Sequence, residues 1–206
     1  MKLKQRISAF GVITMLLSVI VPSRAVSLPE IESLSEYAGE TITCQVLADT
    51  EDGLTSRFVE VAIPEGATVE EEIALVNIAA FGADLYTRNV RATDDKLSVM
   101  RNFTITSEDT YVGGGAAKQD YKCVFAQFTV ESMGGITTID VQCRNETSGG
   151  RSDWTELDIY HYPIRVVFYS NNVRMKTNDI IGVYARTNVG TAEISYCYVG
   201  GATIEL

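Results

Sequence analysis

The stretch YKCVFAQFTVESMGGITTIDVQCR, residues 121–144, decides the fold class. Both of its halves are rich in β-branched and aromatic residues, and apolar positions alternate with polar ones as they do in β-strands. Between the halves lies Ser132-Met133-Gly134-Gly135, whose glycines favour a turn. The pattern therefore predicts two antiparallel strands, 121–130 and 136–144, joined as a hairpin.

Similar short strands are predicted on both sides of this hairpin, with turns rich in Gly, Asn and Asp between them. About ten short strands with such turns indicate a mainly β domain, an antiparallel β-sandwich of a jelly-roll-like kind. The segment 106–119, which contains Gly113-Gly114-Gly115, is expected to be a long flexible loop. The further predicted strands are 41–47, 57–63, 97–105, 154–162, 164–170, 173–176, 180–186, 191–199 and 202–206.

One helix interrupts the strands, and the sequence places it near residues 69–81. Thr68 stands at the N-cap position, and Glu71 three residues later completes a capping box. Val69, Ile73 and Val76 recur at helical spacing, so one face of the helix is apolar. We expect this face to pack against a sheet.

The N-terminus has the pattern of a secretory signal peptide. A basic start is followed by an apolar run over residues 9–21, then Pro22 and the small-x-small site Ser23-Arg24-Ala25. The apolar run is too short to span a membrane. We therefore predict a signal peptide over residues 1–25, a single β-sandwich domain over residues 26–206, and a secreted, extracellular protein that does not insert into the membrane after cleavage.

The charge of the chain excludes some partners. Removal of residues 1–25 takes away four of the seventeen basic residues and no acidic ones, which leaves 13 basic and 27 acidic residues and a net charge of −14. A protein this acidic repels phosphate backbones and anionic headgroups, so nucleic acid is not an expected partner.

The four cysteines, Cys44, Cys123, Cys143 and Cys197, are an even number in an exported chain, which predicts two disulfide bonds. Sequence does not choose among the three pairings. A bond between Cys123 and Cys143 within the hairpin is slightly favoured, although the register that aligns their apolar neighbours places the two on opposite faces.

Catalytic and metal-binding patterns are weak in this sequence. The only histidine, His161, falls on the side of its strand that is predicted to be buried, and no C-x-x-C pair is present. Glu156 and Asp158 lie two residues apart on one strand face, a spacing that permits glycoside hydrolysis by paired carboxylates. No cofactor is expected, and calcium is compatible with the scattered acids without being indicated by them.

The strand 154–162 carries the most suggestive surface. Aromatic rings beside carboxylates are typical of sugar-binding sheets, because a ring packs on the C–H face of a pyranose while the acids accept hydrogen bonds. The sequence therefore favours a non-enzymatic binding protein for an extracellular glycan or small ligand. The alternatives are a structural or protein-interaction module of the cell surface or matrix, and a carboxylate-dependent glycoside hydrolase. The predicted ligand-binding residues share the outward side of the strand: Trp154, Glu156, Asp158, Tyr160 and Tyr162.

Overall fold

The computed structural model of the protein describes residues 33–50, 53–81, 94–134, 138–159 and 163–203. The predicted signal peptide lies outside these residues. As the sequence predicts, the described part of the chain is mainly β, and it contains one helix. In chain order the elements are β1 (Thr41–Thr50), β2 (Gly53–Ala62), α1 (Val69–Phe81), β3 (Asp94–Ile105), β4 (Thr110–Ala116), β5 (Cys123–Met133), β6 (Thr138–Asn145), β7 (Gly150–Arg151), β8 (Thr155–Asp158), β9 (Ile164–Tyr169), β10 (Ile180–Thr187) and β11 (Ala192–Ala202).

The strands form two sheets. The six-stranded sheet has the order β2-β1-β9-β5-β11-β3. The five-stranded sheet has the order β4-β10-β6-β7, and β8 also pairs with β6. Within the described residues every strand pair is antiparallel except β1 with β9, which run parallel from Gln45 opposite Ile164 to Asp49 opposite Phe168.

Two apolar clusters stabilise this arrangement. The first takes residues from both sheets, for example Val124 and Phe128 on β5 and Val183 on β10, all fully buried. The second takes residues of α1 and of the six-stranded sheet, for example Val76 and Phe125. Strand β5 therefore contributes alternate side chains to both clusters, which explains why residues 123–126 are apolar without interruption instead of alternating with polar residues.

The helix begins with the predicted capping box. The Thr68 backbone N–H donates to Glu71 Oε2 at 2.9 Å, and the Glu71 N–H donates to Thr68 Oγ1 at 3.2 Å. These two bonds satisfy backbone donors that the first turn of a helix leaves without partners. The boundaries of α1 match the predicted residues 69–81.

A polar network lies buried between α1 and the six-stranded sheet. The carboxylate of Glu72 accepts hydrogen bonds from Ser35 Oγ at 2.7 Å, Gln127 Nε2 at 2.7 Å and Tyr196 Oη at 2.8 Å. Arg165, also fully buried, donates to Gln127 Oε1 at 2.7 Å. Because buried polar groups are costly unless they are paired, this network fixes how α1 sits on the sheet.

The predicted hairpin over residues 121–144 is wrong. Strand β5 belongs to the six-stranded sheet and β6 to the five-stranded sheet, so the connection after Met133 passes from one sheet to the other. Both a hairpin and a passage between sheets bury the apolar sides of the two strands. Alternation alone does not distinguish them.

The predicted disulfide bonds are also wrong, since all four cysteines are free and buried. Cys44 and Cys123 lie in the cluster under α1, whereas Cys143 and Cys197 lie in the cluster shared by the two sheets, so the favoured Cys123–Cys143 pair is divided between clusters. Cys123 lies opposite Tyr169 at one end of β9, whereas Cys44 is adjacent to Gln45, which pairs with Ile164 at the other end of β9. The length of β9 therefore separates Cys44 from Cys123. Cys143 and Cys197 come from different sheets, and facing sheets lie ~10 Å apart, beyond the ~7 Å between Cα atoms that a disulfide spans.

The predicted glycine loop is strand β4. Gly113 and Gly114 have φ angles of +146°, and a Cβ on Gly114 would lie 2.1 Å from the backbone oxygen of Ile181 on β10. Glycine is needed here because neighbouring backbone approaches closely, not because the segment is flexible.

Two other strand predictions differ from the structure. The predicted turn at Gly200-Gly201 lies inside β11, where the ladder shifts register between Val199 and Gly200. Residues 173–176 do not form a strand, and the backbone oxygen of Met175 instead accepts a hydrogen bond from the N–H of Tyr121 at 2.9 Å.

Candidate ligand-binding face

One side of the five-stranded sheet carries a dense group of aromatic and planar polar side chains. Ile181, Val183 and Ala185 of β10 point into the shared apolar cluster, so the residues between them point away from it. The same alternation holds on β4, β6 and β8. We call this side the outer face, and its residues are Tyr111, Asp140, Gln142, Arg144, Trp154, Glu156, Asp158, Tyr184 and Arg186.

The structure places three of the five predicted ligand-binding residues on this face. Glu156 and Asp158 are exposed on β8, while Thr155 and Leu157 are buried, as the predicted alternation requires. Trp154, just before β8, is partly buried. Tyr160 and Tyr162 lie outside the described residues, and so does His161.

Trp154 is held by two arginines. The guanidinium carbon of Arg186 lies 4.1 Å from the centroid of the Trp154 ring, and that of Arg144 lies 5.6 Å from it. Arg144 also lies 4.1 Å from the centroid of the Tyr184 ring. These distances are typical of cation–π contacts, so the rings and guanidinium groups form one connected row.

Polar contacts fix the two arginines in place. Arg144 Nε donates to Gln142 Oε1 at 2.7 Å, and its Nη2 pairs with Asp109. Arg186 Nε donates to Asp140 Oδ2 at 3.3 Å. Because each guanidinium contacts both an aromatic ring and an acceptor, the row is organised before any ligand arrives.

The tyrosines extend the row towards β4. Tyr111 and Tyr184 contact edge to face, with ring centroids 5.6 Å apart. Gly182 makes room for them, since a Cβ there would lie 2.9 Å from Cε2 of Tyr184. Burial raises the pKa of both hydroxyls, and nearby Glu146 raises the pKa of Tyr184 further by accepting its hydrogen bond. Both tyrosines are therefore neutral donors at physiological pH.

Carboxylates outnumber guanidinium groups on and around this face. An anionic ligand would therefore meet net repulsion, whereas a neutral or cationic ligand would not. The acids are Asp109, Asp140, Glu146, Glu156 and Asp158, and the bases are Arg144, Arg151 and Arg186.

Sequence analysis did not single out Tyr111, Tyr184, Arg144 or Arg186. A signal for Tyr184 and Arg186 exists, because they alternate with the apolar Ile181, Val183 and Ala185. Their proximity to Trp154 depends on β10 pairing with β6, and no local pattern specifies that pairing.

Two clefts lie away from the outer face. One, of about 160 Å³, is lined by residues that include Glu36, Arg101 and Ser195. The other, of about 290 Å³, has Asp120, Tyr121, Met175 and Lys176 among its lining residues. Hydrogen bonds from the backbone N–H of Thr177 and from Lys176 Nζ to the Asp120 carboxylate lower its pKa to about 2.

Within the residues that the structure describes, no three His, Cys, Asp or Glu side chains are grouped so as to hold a metal ion. No helix in the described ranges is long and apolar enough to cross a membrane.

No protein-family model matches the chain, and no curated protein sequence matches it at a significant level. The functional assignment therefore depends on the geometry of the site.

Proposed function

We propose that this protein is a non-enzymatic, extracellular binding protein that takes a saccharide on the outer face. The observation that carries the proposal is the row of aromatic rings and guanidinium groups from Tyr111 to Arg186, held ready on an exposed sheet. Binding sites of this kind need apolar surface for the sugar ring and fixed polar groups for its hydroxyls. The outer face supplies both.

The accessible groups suggest how a sugar would lie. Tyr111 is 44% exposed, the most open aromatic ring of the row, and is the platform that we propose for the C–H face of the sugar. Asp140 and Arg144, whose side chains are 14% and 19% exposed, line the same face and would bond the hydroxyls. The excess of carboxylates favours a neutral sugar over a sulfated or carboxylated one.

We propose that the fold is a jelly-roll β-sandwich with additions. From β3 onwards, β3, β5, β9 and β11 belong to one sheet and β4, β6, β8 and β10 to the other. Within the sheets, β11 lies between β3 and β5, and β10 lies between β4 and β6, which is the interleaving expected of two Greek keys. The β1–β2 hairpin and α1 would be the additions.

Secretion remains part of the proposal because of the signal pattern over residues 1–25. Mass measurement of protein collected from the medium tests it directly. Cleavage after Ala25 would support export, and a retained leader on material found only inside cells would contradict it.

A protein partner is the second candidate, and one observation favours it. Arg186 covers a face of the Trp154 ring at 4.1 Å, which leaves less of that ring open to a sugar than the sequence suggests. Trp, Tyr and Arg are also the residues that most often dominate protein–protein interfaces. No comparable observation favours the hydrolase alternative, since Glu156 and Asp158 are exposed on β8 and the two clefts are lined by other residues.

The single tryptophan makes the site testable without a label. We expect the purified protein to bind neutral saccharides on a glycan array. A saccharide that binds there should also shift the fluorescence emission of Trp154 when it is added to the protein in solution. Tyr111→Ala should weaken binding by about tenfold or more, from the loss of aromatic contact area. Val189→Ala, at an exposed position outside the row, is the matched control.

The absence of any hit on the array, together with unchanged emission, would contradict saccharide binding. Retention of one protein from the culture medium, abolished by Arg144→Ala and not by Val189→Ala, would instead support the second candidate.

A further inference from the structure

Glu146 places an exposed carboxylate beside the two tyrosines of the outer face. Its backbone N–H donates to the backbone oxygen of Ile180 on β10 at 2.8 Å, and the N–H of Ile180 donates to Thr147 Oγ1 at 2.8 Å. The side-chain oxygen of the buried Asn145 accepts hydrogen bonds from the N–H groups of Thr147 and Ser148. The turn that carries Glu146 is therefore fixed to β10, and its carboxylate is in place before a ligand binds.

The carboxylate and both tyrosine rings meet above Gly182. A Cβ built there would lie 2.9 Å from Cε2 of Tyr184, 3.5 Å from Cε2 of Tyr111 and 3.6 Å from Oε1 of Glu146. The edge of the Tyr111 ring and the Glu146 oxygen are therefore at most about 7 Å apart. A cation interacts with an aromatic ring up to ~6 Å from its centroid and with a carboxylate oxygen at ~2.8 Å, so one ammonium group can contact both.

Tyr111 is the ring that is open to a ligand at this point. It is 44% exposed, whereas the ring of Tyr184 already has the Arg144 guanidinium 4.1 Å from its centroid. The hydroxyl of Tyr184 donates a hydrogen bond to Glu146. Because a carboxylate has about four acceptor positions, Glu146 can accept a hydrogen bond from a ligand in addition to this one.

The charge around this point favours a cationic group over a neutral one. The full chain has a net charge of −10, and carboxylates outnumber guanidinium groups on the outer face. The guanidinium of Arg144 forms an ion pair with Asp109, which compensates its charge. A cation that approaches Tyr111 and Glu146 is therefore attracted both by the carboxylate and by the field of the whole protein.

We propose that the outer face binds an amino sugar, with the protonated amine lying between the Tyr111 ring and the Glu146 carboxylate. This proposal rests on the saccharide site proposed above and names the class of sugar that the site prefers. The amine adds an ion pair with Glu146 and a cation–π contact with Tyr111 to the contacts that any sugar would make. Each of these exposed contacts is modest, so together they should favour the amine by about tenfold in affinity.

A set of three trisaccharides tests this preference directly. They share one β-linked backbone with the configuration of glucose and differ only at C2, which carries a hydroxyl, an acetamido group or a free amine. At about pH 5.5 an amine is protonated, so only the third sugar is cationic. We expect calorimetric titration of the protein to give a dissociation constant about tenfold lower for the amine than for either of the other two.

Two variants that each remove one negative charge locate the contact. Glu146→Gln retains a side-chain oxygen that can accept the Tyr184 hydrogen bond but loses the charge, and it should reduce the preference for the amine to about twofold or less. Glu60→Gln removes a charge from an exposed position on β2, in the other sheet, and should leave the preference unchanged. Circular dichroism shows that each variant is folded.

The outcomes separate this proposal from the saccharide site itself. Equal affinity of the wild type for the three trisaccharides would overturn the amine contact and leave saccharide binding intact, whereas no binding of any of them, together with no hit on the glycan array, would overturn both. A preference that survives Glu146→Gln, or that Glu60→Gln removes equally, would overturn the contact with Glu146. Binding of a lysine-containing peptide in place of the amine trisaccharide, lost in Glu146→Gln, would assign the carboxylate to a protein partner instead.

Discussion

At the scale of single residues, the glycines of β4 show how tightly the edge of the five-stranded sheet is packed. Gly114 has φ +146°, and a Cβ added to it would approach the backbone of Ile181 and Gly182. Backbone atoms cannot rotate away as a flexible side chain can. The strand therefore depends on glycine at this position.

We expect Gly114→Ala to lower the free energy of unfolding by about 3 kcal/mol or more, because it adds both backbone strain and a clash with β10. The control is Gly149→Ala, where φ is +75° and no atom lies within 4 Å of the added Cβ. This control variant should lower the free energy of unfolding by only ~1 kcal/mol, because it adds the strain of the left-handed conformation and no clash. Urea unfolding of the two variants measures the difference, and equal losses would show that the close approach to β10 does not matter.

At the scale of elements, α1 depends on both its cap and its buried carboxylate. Burial raises the pKa of Glu72 above its ordinary value, and the hydrogen bonds from Ser35 and Tyr196 oppose this rise. The folded protein therefore holds the Glu72 proton more tightly than the unfolded chain does. The contribution of this group to stability is full below its ordinary pKa and is lost as the pH rises through the raised value.

Glu72→Gln removes this titration. We expect the difference in unfolding free energy, wild type minus variant, to fall as the pH rises from about 4 to about 7. Urea unfolding at several pH values measures it. Glu60→Gln, at an exposed position on β2, controls for the loss of one charge. A difference for Glu72→Gln that rises with pH would contradict the raised pKa.

The elements also show where sequence reasoning succeeds. The capping box at Thr68 and Glu71 and the apolar spacing that follows predict α1 correctly, because helix signals are local. Strand β4 is missed because Gly113 and Gly114 are typical of loops unless neighbouring backbone excludes a side chain. The prediction of a β5–β6 hairpin is wrong because the short connection after Met133 permits either a hairpin or a passage between sheets.

The candidate site is predictable only in part for the same reason. The alternation around Thr155 and Leu157 correctly places Trp154, Glu156 and Asp158 on one side. The arginines that contact Trp154 come from β6 and β10, which reach it through pairings between residues far apart in the chain. Local periodicity carries no information about such pairings.

At the scale of the whole molecule, the four free cysteines report on both apolar clusters at once. Burial raises the pKa of Cys44 to about 11 and that of Cys143 to about 12, and it also raises the pKa of Cys197. A thiol reacts as its thiolate, so these groups are unreactive in the folded protein.

We therefore expect iodoacetamide at about pH 8 to modify no cysteine of the native protein and all four after denaturation, as counted by mass. Partial modification restricted to Cys44 and Cys123 would show that α1 opens independently of the two sheets. If the protein binds no iodoacetamide even after denaturation without a reducing agent, its cysteines form disulfide bonds in the isolated protein. That result would contradict the structure.

The parallel pair of β1 and β9 has a consequence for how the chain acquires its structure. Gln45 pairs with Ile164, so β1 waits for a partner strand that lies much further along the chain. Closing so large a loop is entropically unfavourable, and distant pairings of this type slow folding. The nascent chain can form the local β1–β2 pair early, but these two strands join the rest of the six-stranded sheet only after β9 has been synthesised.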